Sequence, residues 1–423
     1  MPSLVARIGP LRRATILIEL SIMTTVALPD PPSFTPLLPL KPNPARKRLD
    51  SVDALRGLVM VIMALDHVRD YFTYVRFDPV DLTQTTPALF LTRWVTHFCA
   101  PTFMLLAGTS AWLAGRRRTR DELAGFLLKR GIWLVLLELT VIGFAWYFNF
   151  HFELGFRAQV MWALGMSMIA LAGLIYLPRP VLLAFAVTMI AGHNLLDGIT
   201  AQDAGSLAPL WSILHVPGPL PALHIYITYP LVPWIGVMAF GYLLGPVLDL
   251  PADERRQLFM RMGLAMIAAF LFLRTANFYG DPAPWSLQRD GVMTLLSYIN
   301  VTKYPASLDY FLITVGPALV GLALLERLSG PVLGFLKVYG QVPLFYYVAH
   351  LYLLHLLAVA AGVLQGFPAG EMTKVWRQLP SGYGFGLPVV YLAWATVVLM
   401  LYPACKWFGT KKQAGREWWW SYL

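Results

Sequence analysis

The sequence predicts an all-α, polytopic membrane protein with about ten transmembrane helices. Of its 423 residues 57% are hydrophobic and only 13% are charged, whereas soluble proteins carry about 25% charged residues. Several apolar stretches approach or exceed the ~20 residues that a helix needs to cross a bilayer core. Strand-like alternation of apolar and polar residues is absent from the sequence, so helices must satisfy the backbone within the membrane.

The apolar segments give the expected spans in order, with boundaries accurate to several residues. They cover 54–72, 94–114, 126–148, 158–177, 180–192, 225–246, 258–274, 307–326, 336–361 and 386–405. The fourth and fifth are so close in sequence that they could instead form a re-entrant or tilted hairpin. We expect an unstructured or mis-annotated extension over 1–45, the transmembrane domain over 46–410 and a cytoplasmic tail over 411–423.

Basic residues test this arrangement, because cytoplasmic loops carry an excess of Lys and Arg. Residues 193–224 contain neither. The basic groups precede the first span or fall in alternate connections and the tail: Lys41, Arg46, Lys47, Arg48, Arg116, Arg117, Arg118, Arg120, Arg255, Arg256, Lys406, Lys411 and Lys412. This pattern predicts two cytoplasmic termini in a multi-pass protein of the cell membrane. The net charge of +10 is distributed by membrane side, so lipids are expected partners and nucleic acid is not.

Four ionisable residues, Asp66, His67, Arg69 and Asp70, end the first span. Ionised groups at membrane depth are costly and indicate a functional site, although a helix end whose side chains reach interfacial water is the alternative. Helical spacing lets His67 reach Asp70 better than Asp66. We therefore predict His67 as a general base oriented by Asp70, with Asp66 as a further catalytic residue.

A second polar group, Arg93, Thr96 and His97, opens the second span on the same expected side of the membrane. His97 is either a second catalytic residue or a capping and packing residue, and the sequence leaves both open. His350 and His355 are five residues apart and so lie on different helix faces, which argues against a shared metal. No zinc-type Cys or His spacing is present in the sequence, and we expect no metal.

Other polar positions carry weaker indications. Glu138 lies in an apolar helix and should have a buried partner. The segments 192–197, 279–285 and 300–310 combine aromatic, acidic and amide residues. Sugar-binding surfaces have this composition, and so do ordinary interfacial belts.

The segments RLDSVDALRG and LDHVRDY resemble the bacterial branch of the heparan-α-glucosaminide N-acetyltransferase catalytic-domain family, which is akin to acyltransferase-3 proteins. The resemblance continues through RWVTHFCAPTFMLLAGTSAWL and YPLVPWIGVMAFGYLLG to YGQVPLFYYVAHLYLLHLL. It implies transfer of an acyl group, with acetyl the expected one, from cytoplasmic acyl-CoA to an extracytoplasmic glycan or amino sugar. Arg56, Arg69 and Lys303 are the expected donor-binding residues, and the Arg116–Arg118 run is a further phosphate partner.

This chain departs from the family at one position. In the lysosomal enzyme the catalytic histidine looks to lie in the loop after the first helix, and here no histidine occurs between Val68 and Thr96. The base is therefore assigned to His67 on chemical grounds, with His97 second. The alternative function is a transporter or flippase in which Asp66, His67 and Arg69 relay protons or substrate.

Overall fold

The computed structural model describes residues 49–149, 156–374 and 378–415. The expected N-terminal extension (1–45) and the end of the expected tail (416–423) lie outside the described residues. Residues 411–414 of that tail continue the last helix.

Within the described ranges the chain forms fifteen α-helices. They are α1 (Asp50–Phe72), α2 (Pro87–Trp94), α3 (Cys99–Gly115), α4 (Arg120–Leu137), α5 (Gly143–Tyr147), α6 (Val160–Leu174), α7 (Arg179–Val187), α8 (Ala208–Leu214), α9 (Val232–Leu243), α10 (Ala252–Ala276), α11 (Gly291–Ile299), α12 (Leu308–Leu325), α13 (Pro331–Gln341), α14 (Pro343–Leu364) and α15 (Leu387–Ala414). The predicted all-α class is thus confirmed.

A small sheet is the only β-structure with more than an isolated bridge in the described part of the chain. Its strands are β1 (Phe156–Ala158), β2 (Gly218–Leu220) and β3 (Ile225–Ile227), in the order β1-β3-β2. β1 runs parallel to β3, and β2 runs antiparallel to it. The sheet joins the loop before α6 to the loop before α9.

Seven of the described helical segments are long and apolar enough to cross a membrane, which supports the polytopic class. Each expected span coincides with a helix or helix pair, but the number of crossings and the sidedness of the termini stay predictions. The expected span 336–361 is divided in two at Val342, between α13 and α14. Pro343 explains the break, because a proline disfavours helical backbone at the preceding residue.

Helix α1 lies at the centre of the bundle and packs against α3, α12, α13, α14 and α15. Its closest approach is to α13, at Gly57 and Gly340. A methyl group added at Gly57 would lie 1.8 Å from the carbonyl oxygen of Leu336, and one at Gly340 would lie 1.8 Å from that of Asp53. Small residues permit such backbone contact between membrane helices. Glycines allow the same close backbone contact between α4 and α6, between α3 and α9, and between α10 and α12.

The basic end of the bundle is fixed by ion pairs at helix termini. Lys337 pairs with Asp50 at 2.8 Å where α1 begins, and Arg116 pairs with Asp249 at 3.0 Å. Arg255 donates to both carboxylate oxygens of Glu326, at 2.7 and 3.0 Å. Since the ionisable cluster ends α1, it lies at the opposite end from these basic groups.

Candidate active site

The last two turns of α1 place four charged or titratable groups beside the end of α2. Arg69 pairs with Asp66 at 2.7 Å and with Asp70 at 2.5 Å. Arg93 from α2 approaches the other oxygen of Asp66 at 2.9 Å. Asp66 thus lies between two guanidinium groups, which compensates its charge in a region where an unpaired carboxylate would be costly.

His67 is paired with a second histidine from a distant part of the chain. Its Nδ1 lies 2.6 Å from Nε2 of His350 on α14, 283 residues away. The two rings are stacked, with centroids 4.9 Å apart and planes 16° from parallel. His350 is fully buried, whereas His67 is partly accessible.

The backbone fixes the protonation pattern of this pair. Nδ1 of His350 lies 2.9 Å from the carbonyl oxygen of Tyr346, and a carbonyl can only accept, so Nδ1 carries the hydrogen. Nε2 of neutral His350 is then an acceptor, and Nδ1 of His67 must donate to it. Nε2 of neutral His67 therefore holds a lone pair, and within the described residues it has no hydrogen-bond partner.

Aromatic side chains surround the histidine pair. Trp146 lies edge-on to His67 with ring centroids 5.0 Å apart, and Tyr347 does so at 6.0 Å. The ring of Tyr346 stacks on His350 at 5.2 Å. These contacts limit the orientations that the two imidazoles can adopt.

The loop before α12 brings Lys303 and Tyr304 to the same site. The Lys303 ammonium lies 5.3 Å from the ring centroid of Tyr304 and 6.0 Å from that of Tyr229, and it interacts electrostatically with Asp66 and His67. The hydroxyls of Tyr304 and Tyr229 are 3.4 Å apart. Burial disfavours ionisation of Tyr304, but the positive charges of Lys303 and Arg93 outweigh it and hold its pKa below the ordinary value.

Buried polar contacts hold this loop in place. Arg274 at the end of α10 donates to the carbonyl oxygens of Ala283, Ser297, Tyr298 and Asn300. Asp281 accepts from the Thr302 amide at 2.7 Å and from the Ser307 hydroxyl at 2.6 Å. The position of Lys303 is thus set by groups on both sides of it.

The model of the family described as heparan-alpha-glucosaminide N-acetyltransferase, catalytic, matches residues 48–279, more than half of the chain. The chain belongs to this family. A comparison with curated proteins gave no match. The matched region contains the α1 and α2 cluster, whereas Lys303, Tyr304 and His350 lie beyond it.

In this N-acetyltransferase family member, the expected contact of Asp70 with His67 is absent, and the contacts of His97 bear on the two roles left open for it. Asp70 does not orient His67, because its carboxylate pairs with Arg69 and His350 occupies Nδ1 of His67. His97 is only 3% exposed, and its ring packs edge-on to Tyr310 at 5.6 Å rather than on His67. Its backbone oxygen accepts the Tyr310 hydroxyl at 2.9 Å, which favours the packing role.

The expected donor-binding residues lie at different depths of the bundle. Arg56 donates to Asp53 and to Ser110 at 3.1 Å and to the Gly340 oxygen at 3.2 Å, so it links α1, α3 and α13. Arg69 is buried with both carboxylates as partners. Of the three, Lys303 is the residue placed beside the His67 pair with no carboxylate partner among the described residues.

Two further polar residues have structural partners. Oε2 of Glu138 accepts from the Met161 amide at 2.8 Å and the Trp162 amide at 3.3 Å. It thereby satisfies free N–H groups at the start of α6, which confirms the expected buried partner. His355 contacts the carbonyl oxygens of Ala145 at 2.8 Å and Met372 at 3.1 Å.

The sequence did not identify His350, Tyr304 or Tyr229 as site residues. Helical spacing shows which residues share a face of one helix, but it gives no information about which helices meet. The available signal was indirect: a histidine in an otherwise apolar helix must find a polar partner.

Proposed function

We propose that this membrane acetyltransferase moves the acetyl group of acetyl-CoA, delivered from the cytoplasmic side, to the amine of an extracytoplasmic amino sugar. The observation that carries this proposal is the His67–His350 pair, which presents the Nε2 lone pair of His67 as a base. Membership of the N-acetyltransferase family supplies the reaction class.

In the proposed step, the neutral amine of the acceptor attacks the thioester carbonyl carbon. A C–N bond forms, the C–S bond breaks, and the electron pair of that bond leaves with the CoA sulfur as thiolate. Nε2 of His67 takes the proton from the attacking nitrogen and then delivers it to the thiolate. General base catalysis of this kind contributes ~10²–10⁴-fold to a rate.

The charges around His67 act in opposite directions in this step. When His67 is protonated, Asp66 attracts its positive charge, whereas the nearby positive charges of Arg69 and Lys303 oppose it. Lys303 supplies a positive charge for the oxygen that becomes negative as the thioester carbonyl is attacked. Asp70 and Arg69 act through Asp66, as positioning residues.

Donor and acceptor would approach from opposite ends of the bundle. His67 lies eleven residues beyond Arg56 on α1, about 16 Å along the helix axis. The Arg116–Arg118 run lies at the basic end, where CoA phosphates would bind. The acceptor would reach the cluster from the side of Lys303 and Tyr304.

The test uses purified protein in nanodiscs with radiolabelled acetyl-CoA and glucosamine, comparing wild type with His67→Ala and His97→Ala. We expect N-acetylated sugar and free CoA from wild type and from His97→Ala, and a loss of ~10²–10⁴-fold in His67→Ala. Loss of activity in His97→Ala alone would assign the base to His97, in the turn that precedes α3. If wild type consumes no acetyl-CoA, the acetyltransferase proposal is overturned and substrate transport becomes the alternative.

A further inference from the structure

A second histidine cluster lies away from the His67 site, in the loop between α7 and α9. His193 and Asp197 are four residues apart on the helical turn that follows α7, and His215 follows α8. One potential ligand atom from each lies within 4.8 Å of the other two. We propose that these three residues form a binding site for a divalent transition ion of the Zn²⁺ class.

The first argument is the burial of unused polar atoms. His215 is 0% and His193 is 2% exposed. Within the described residues, both ring nitrogens of His215 and Oδ1 of Asp197 lack a partner in hydrogen-bond geometry, and so do the ring nitrogens of His193, although the Ala306 backbone lies close enough to His193 to interact with it. Buried polar atoms are normally satisfied, so three side chains that each bring one such atom within 4.8 Å of the other two indicate an absent ligand.

The second argument is the spacing of those atoms. Nε2 of His215 lies 3.3 Å from Oδ1 of Asp197. Two ligands bound about 2.0–2.1 Å from a tetrahedral zinc ion are separated by about 3.4 Å, so this pair already has the separation that such an ion needs. Two imidazoles and a carboxylate suit zinc and similar transition ions, whereas Ca²⁺ and Mg²⁺ prefer oxygen ligands.

The third argument is that hydrogen bonds orient the Asp197 carboxylate. Nδ2 of Asn194 donates to Oδ2 of Asp197 at 2.7 Å, which leaves Oδ1 for the ion. Oδ1 of Asn194 accepts from the Leu308 amide at 2.9 Å and so ties the turn to the start of α12. Hydrogen bonds of this kind orient the ligands of metal sites.

Bound metal would join the end of α7 to the end of α8 and close the loop between them. Three protein ligands leave a fourth position of a tetrahedral ion for water. Sequence spacing predicted no metal, because His215 is separated from the other two ligands by a whole loop. The proposal does not depend on the acetyltransferase function.

The test measures metal directly, on full-length protein purified with a tag that contains no histidine. After chelation and re-addition of Zn²⁺, mass spectrometry should find one zinc per chain in wild type and less than a tenth of that in His193→Gln and His215→Gln. Substituting Co²⁺ should give the visible absorption of a tetrahedral complex. His224→Asn is the matched control, since it removes an exposed histidine from the same loop, and it should retain the zinc.

The Asp197→Asn variant separates loss of zinc binding from loss of folding, in case the histidine variants do not fold. It preserves the shape of the side chain and should weaken zinc binding at least tenfold while the protein stays monodisperse. Added Zn²⁺ should raise the melting temperature of wild type and of His224→Asn, but not of Asp197→Asn. The proposal is overturned if wild type binds no zinc or cobalt, or if both histidine variants retain them.

Discussion

Replacing His350 by phenylalanine is the most direct perturbation of the proposed base. The substitution keeps a planar ring in the fully buried position against Tyr346 but removes the atom that accepts Nδ1–H of His67 at 2.6 Å. Only the part of this bond that strengthens when His67 becomes positively charged affects kcat. A hydrogen bond from a charged group contributes roughly 1–1.5 kcal/mol more than a neutral one, so we expect kcat to fall about 5- to 13-fold.

His355→Phe is the matched control, because it removes a buried histidine from the same helix. Its nitrogens contact the carbonyl oxygens of Ala145 and Met372, and its ring stacks on Phe148 at 3.9 Å. It has no contact with the His67 pair, so its loss should lower the melting temperature and leave kcat per folded molecule within about twofold of wild type.

The assay is acetyl-CoA turnover in nanodiscs, normalised to folded protein, with kcat and KM determined separately. His350→Phe should lower kcat with little change in the KM for acetyl-CoA, because His350 does not reach the donor. The reasoning is refuted if His350→Phe retains wild-type kcat, or if His355→Phe loses as much. A combined His67→Ala, His350→Phe variant should be no slower than His67→Ala alone.

Two further predictions concern helix packing and the charge of the site. Gly57→Ala places a methyl group 1.8 Å from the Leu336 carbonyl oxygen, so the free energy of unfolding should fall by about 3 kcal/mol or more, measured by thermal melts. Gly334→Ala is the control on α13. Its added methyl group meets open space, so the protein should be as stable as wild type or slightly more stable. Lys303→Met removes a positive charge that lowers the pKa of Tyr304, so that pKa rises. Tyrosine ionisation followed by ultraviolet absorbance, with Tyr304→Phe as the reference that lacks this group, should show the Tyr304 step at higher pH, and an unmoved step would contradict this.

The sequence predicted those features that depend on residues close together in the chain. The helical class follows from the length of the apolar runs, and the place of the candidate site stays a prediction from four ionisable residues at the end of α1. The partner of His67 depends instead on which helices meet. Spacing alone favoured Asp70, but Arg69 binds both neighbouring carboxylates, because a guanidinium pairs with them more strongly than a neutral imidazole does.

The loop residues show the same distinction between composition and contact. Their aromatic, acidic and amide side chains are typical of sugar-binding surfaces, yet Asp281 is engaged by Thr302 and Ser307 within its own loop. Asp281 is therefore used to hold the loop, and it is not available to a sugar. Both oxygens of Asp66 are held by Arg69 and Arg93, so under the proposed function recognition of the acceptor depends on Lys303 and Tyr304, the partly accessible groups that border the His67 pair. An ammonium group and a tyrosine hydroxyl can bind the hydroxyls of an amino sugar while its amine faces Nε2 of His67.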